Sequence, residues 1–85
     1  MIAGMPVRLT DRQRAFLLGA AKAASAKTGG FDWAVVGRRL RFSRDESARI
    51  VEQLEEKGLL ERLDDAPAIL TLAGRELVER LVGAS

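Results

Sequence analysis

Arg38, Arg39, Arg41 and Arg44 place four guanidinium groups within seven consecutive residues, the densest concentration of binding chemistry in the chain. A guanidinium is a rigid fork of donors that matches a phosphate bidentately. The cluster therefore has two readings: a phosphate-binding surface, or a solvated face that forms salt bridges with Asp45, Glu46 and Glu52. Just beyond it, Arg44, Ala48, Arg49 and Gln53 recur at helical spacing opposite the apolar stripe of Ile50, Val51 and Leu54, so one helix can bury the stripe and present the other face. Arg49 carries the donors for a guanine edge and Gln53 the amide for an adenine edge. The competing reading pairs Arg49 with Asp45 or Glu52 on the surface.

The rest of the composition removes other chemistries. The 85-residue chain has no cysteine and no histidine, which excludes disulfides, thiolate nucleophiles, the commonest general base and the usual zinc ligands. Glu52, Glu55 and Glu56 fall at helical spacings with no nucleophile beside them, and read as solvated surface. No catalytic residue, metal site or cofactor is expected, and the chain is not expected to be an enzyme. Hydrophobic residues at 47% and charged residues at 31% suit one folded domain over residues 1–85.

The formal net charge is only +2, so its distribution matters more than its size. Counted along the sequence, it is +4 over residues 1–30, +2 over 31–42, and −2 over each of 43–57 and 58–85. An anionic partner is steered to the N-terminal half and the arginine cluster. No apolar run approaches the ~20 residues that span a bilayer. Arg8, Arg12 and Arg14 before Ala15 to Ala21 imitate a secretory signal, but Lys22 interrupts the apolar stretch. A cytoplasmic location is expected.

The elements that must position the arginines can be read from caps and periods. Residues 1–9 read as an arm. Thr10 with Gln13 is a capping-box pattern, and Phe16, Leu17, Ala20 and Ala24 follow at helical spacing until Gly29-Gly30. Asp32 caps a second helix with a staple between Phe31 and Val36, on which Trp33 is either core or an interface anchor. Ser43 with Glu46 opens a third helix, and Gly58 closes it in the left-handed conformation with Leu59 set against Leu54. A hairpin follows over 59–71, turning at Asp64-Asp65-Ala66-Pro67. Thr71 then caps a last helix over 72–82 whose buried face is Leu77, Val78, Leu81 and Val82. The helix-turn-helix portion is 32–57.

That order resembles a winged helix, and Leu40 to Gly74 is similar to the MarR-like winged helix-turn-helix transcriptional regulators. Leu40-Arg41-Phe42-Ser43 stands where that family has Leu-Gly-x-Ser. Leu54-Glu55-Glu56-Lys57-Gly58-Leu59-Leu60 resembles its helix-end signature, and Leu70-Thr71-Leu72-Ala73-Gly74 fits its Leu-Thr-x-x-Gly after the wing. The resemblance implies a mainly α fold with a small β-hairpin: a three-helix bundle, a two-stranded wing and a C-terminal helix. Three positions differ from the family pattern. Arg41 replaces the turn glycine and must either adopt a left-handed backbone or bend the turn differently. Asp45 and Glu46 stand where small hydroxyl residues are usual, and Asp64 and Asp65 replace a wing-tip arginine; carboxylates there oppose phosphate.

The expected function is that of a small DNA-binding transcriptional regulator, with its third helix in the major groove and two copies pairing through the first or last helix. The expected DNA-facing set is Arg38, Arg39, Arg41, Arg44, Asp45, Ala48, Arg49 and Gln53. The alternative is a winged-helix protein-interaction or scaffold module without DNA binding. A weaker third reading is a piece of a multi-protein regulator that uses its basic face on RNA.

Overall fold

The first backbone N–H groups of a helix lack internal acceptors, and in this chain side-chain oxygens supply them. The computed structural model describes residues 8–24, 29–62 and 67–83. Helix α1 (Asp11–Ala23) opens on a complete capping box: Gln13 N donates to Thr10 Oγ1 at 3.1 Å, and Thr10 N donates to Gln13 Oε1 at 3.0 Å. Helix α2 (Trp33–Arg39) opens on Asp32, whose Oδ1 accepts from Ala34 N at 3.0 Å and Val35 N at 3.3 Å. Helix α3 (Arg44–Glu56) opens on Ser43, whose Oγ accepts from Glu46 N at 3.0 Å. Helix α4 (Leu72–Gly83) opens on Thr71, whose Oγ1 accepts from Gly74 N at 3.1 Å.

Two expectations are corrected. The first helix ends at Ala23 on an extended Ala24, well short of Gly29-Gly30. The sheet has three strands, β1 (Gly30–Phe31), β2 (Leu60–Arg62) and β3 (Ala68–Leu70), in the antiparallel order β1-β3-β2. β3 pairs with both neighbours, setting Phe31 and Arg62 opposite Ala68 and Leu60 opposite Leu70. The expected hairpin is present, and Phe31 adds an edge to it while starting α2. The arm over residues 1–7 and the expected turn at Asp64 and Asp65 lie outside the described residues.

The helices and the sheet close on one apolar cluster. Phe16, Leu17 and Ala20 of α1 meet Val36 of α2, Ile50, Val51 and Leu54 of α3, and Phe31, Leu60, Ala68 and Leu70 of the sheet. The expected α3 stripe is thus the buried face. On α4, Leu77, Val78 and Leu81 are half-buried against this core, but Val82 is 61% exposed and does not join the buried face. The helical period passes beyond the last element available to cover it.

The two sequence signatures that flank the hairpin dock on each other. Lys57 ends α3, and Gly58 takes φ +77°. Leu59 N then donates to Leu54 O at 3.0 Å and Gly58 N to Glu55 O at 2.9 Å, the paired bonds of a Schellman cap. The Gly58 carbonyl accepts from Thr71 Oγ1 at 2.5 Å, and the Leu59 carbonyl accepts from Thr71 N at 3.1 Å. A Cβ on Gly74 would lie 2.2 Å from that Leu59 oxygen, so only glycine admits the approach. Thr71 and Gly74 seat α4 on the end of α3, which fixes the far end of the helix that carries Arg49.

Candidate nucleic-acid interface

The arginine cluster is organised by the end of α2. Phe42 N donates to Gly37 O at 2.9 Å and Arg41 N to Arg38 O at 3.0 Å, with Leu40 as the cap. This repeats the bond pattern at Gly58, but the left-handed residue is Arg41, at φ 66°. Of the two ways open to a side chain at this position, the backbone takes the strained one. Arg41→Gly is expected to raise the free energy of unfolding by about 1 kcal/mol, through relief of the left-handed Cβ penalty. A urea titration that shows no gain in midpoint would contradict this account.

Immediately before the turn, α2 touches α3 at Gly37. A Cβ there would lie 1.8 Å from Ser47 Oγ. Ser47 is itself buried, with Oγ donating to Ser43 O at 2.9 Å. Close contact at Gly37 and the cap at Arg41 set Arg38 and Arg44 together beside Ala34 and Phe42, with Arg41 in the turn, whereas Arg39 lies beside Leu18 and Lys22 on the α1 side. All four are exposed, as are Asp45 and Arg49, and Ala48 is half-exposed between them.

Two α3 side chains are held by α1 instead. The Glu46 carboxylate pairs with Arg12, so the second half of the expected capping box at Ser43 is not made. Gln53 Oε1 accepts from Gln13 Nε2 at 2.8 Å, and both side chains are largely covered. Gln13 therefore caps α1 and clamps α3 at once. This commits one lone pair of the amide assigned to adenine. Glu52, by contrast, is exposed as expected. Glu55 is not simply solvated: its carboxylate accepts from Arg62 Nε at 2.9 Å and Arg62 N at 3.2 Å, tying α3 to β2.

The ion pairs among the described residues are Arg12–Glu46 and Arg62–Glu55. None of Arg38, Arg39, Arg41, Arg44 or Arg49 is joined to a described carboxylate, so the pairing with Asp45, Glu46 or Glu52 weighed from the sequence does not form. Arg44 packs instead over the Trp33 ring, its guanidinium carbon 5.9 Å from the ring centroid. A stacked guanidinium loses little rotamer freedom when it then takes an anion. Trp33 is half-buried against the core and also serves the cluster. The roles of Arg12 and Gln13 had no local sequence signal, because their partners lie 34 and 40 residues away. No group of three or more His, Cys, Asp or Glu side chains among the described residues could hold a metal ion. Among the described residues no helix is long and apolar enough to cross a membrane.

No protein-family model matches the chain, and no curated protein matches it. Among solved structures it is similar to a probable transcriptional regulator from Pseudomonas aeruginosa, with a TM-score of 0.70 and 26% identity. The similarity covers 98% of this chain and 63% of that one, so the chain spans less than two thirds of the regulator's length. The likeness supports a regulator fold.

Proposed function

We propose, from this likeness to a transcriptional regulator, that the chain is a winged helix-turn-helix module that binds duplex DNA, with β2 and β3 as its wing. The reading is carried by one observation: five arginines within twelve residues across the α2–α3 turn are exposed and have no described carboxylate partner. Phosphate is the complement to that surface. In this reading α3 enters the major groove by its N-terminal half. Arg49 reads a guanine edge, Ala48 meets a thymine methyl, Asp45 accepts from a cytosine amino group, and Arg38, Arg39, Arg41 and Arg44 hold phosphates. Gln53 offers its Nε2 and the remaining lone pair of its Oε1 while that oxygen stays bonded to Gln13. The module acts by binding and not by catalysis. Pairing of two copies falls to α1 or α4: on α4, Leu72 at 73% and Val82 at 61% exposure are apolar but separated by the exposed Arg75, Glu76 and Glu79, and on α1, Gly19 already lies against Val36 of α2, where a Cβ would come within 3.1 Å.

A second reading, a protein-interaction module, is favoured by the exposed acids Asp45, Glu52 and Glu56 on α3. Duplexes selected from a random pool separate the two. Arg49→Ala is expected to weaken the selected site by about 1–3 kcal/mol and to relax base preference at one position. If no duplex is enriched and Arg49→Ala matches wild type in fluorescence anisotropy, the protein-interaction reading replaces this one.

A further inference from the structure

A carboxylate in the first turn of a groove-entering helix repels phosphate, and this chain has two, Asp45 and Glu46. They are treated differently by the fold. Asp45 is exposed, whereas the Glu46 side chain is 28% exposed and is drawn across to Arg12 on α1. The neighbouring bond from Gln13 to Gln53, at 2.8 Å, holds the first turn of α1 along that flank of α3. Arg12 therefore has a fixed platform: residue 13 is locked by the α1 capping box on one side and by α3 on the other.

We propose that Arg12 is a positioning residue for duplex binding, which acts by holding and neutralising Glu46 beside the DNA-facing turn. The proposal rests on the DNA-binding reading above and adds a residue outside the arginine cluster. Without Arg12, the Glu46 carboxylate is an unpaired charge two residues from Arg44 and three from Arg49. At physiological salt the screening length is about 8 Å, so a carboxylate this close to the interface is felt by phosphate. A surface ion pair of this kind adds little to stability, with Arg12 69% exposed. Its consequence is for binding.

A double-mutant cycle on a labelled random-sequence duplex tests this, with anisotropy read at low salt and melting curves as the control for folding. Arg12→Ala is expected to weaken binding about fivefold, the screened energy of one charge pair at close range. Glu46→Gln with Arg12 intact should bind at least as well as wild type. Adding Arg12→Ala to Glu46→Gln should then change affinity less than about twofold, with the same salt slope. Arg12→Lys, which keeps the charge, should retain wild-type affinity. An equal loss on Arg12→Ala in both backgrounds, with the salt slope reduced by about 0.9, makes Arg12 a direct phosphate contact and overturns the proposal while sparing the DNA reading. If neither wild type nor Glu46→Gln binds, both fall.

Discussion

Leu54→Ala is expected to lower the free energy of unfolding by about 2–5 kcal/mol. Leu54 is fully buried at the point where α3, the sheet and α1 converge. Its carbonyl also receives the Leu59 N–H of the Gly58 cap, at 3.0 Å. Leu59 is itself 2% exposed and belongs to the same buried cluster, as the apolar part of such a cap requires. Truncation therefore removes transfer energy and leaves a cavity, and it loosens the cap on which Thr71 and α4 sit. Against a typical domain stability of about 5–15 kcal/mol the loss is large. Urea unfolding should show a lower midpoint with an unchanged slope. A loss below about 1 kcal/mol would mean that the core is not organised around this stripe.

Caps and apolar periods were legible because they are local. Thr10, Asp32, Ser43 and Thr71 each accept from a backbone N–H two or three residues on, and the Gly58 cap closes back on Leu54 and Glu55, through bonds whose geometry the helix itself supplies. Strand β1 was not legible, since two residues, the second of a glycine pair and the Phe31 that precedes an N-cap, carry no alternation. Its strand character comes from β3, with Gly30 opposite Ile69. The α4 face was read one residue too far at Val82, because periodicity says which positions share a face and not where the covering layer ends.

The site divides along the same line. Its arginines and the turn they flank follow from the sequence, whereas the left-handed backbone of Arg41 was one of two conformations open there and only the structure decides it. What those arginines do not pair with could not be read there, since Asp45, Glu46 and Glu52 all lie within reach in sequence. The outcome depends on Arg12 and Gln13, which only the packing of α1 against α3 brings to Glu46 and Gln53. The tight α2–α3 contact had a sequence signal in hindsight: Gly37 is a helix-interior glycine, a costly choice unless something must approach closely, and Ser47 does.

Duplex affinity is expected to fall about 150-fold between 50 and 200 mM salt, with Arg38, Arg39, Arg41 and Arg44 each contacting phosphate at a slope of about −0.9. The formal net charge of +2 is too small to produce this by a global field. The slope therefore reports local contacts, which the proposed reading assigns to the exposed Arg38, Arg39, Arg41 and Arg44. A phosphate contact by Arg49 in place of its base edge would steepen the slope by about one unit and set the larger outcome at about 500-fold. Arg38→Ala should weaken selected and unselected duplexes alike and reduce the slope by about 0.9, because a phosphate contact carries no sequence information. Arg80→Ala, on the exposed end of α4, should leave the slope unchanged. An apolar protein interface behaves differently, since it does not weaken steeply with added salt. Anisotropy across the salt range decides between them: a flat dependence in wild type, or the same slope in wild type and Arg38→Ala, would leave the arginine cluster without phosphate to bind.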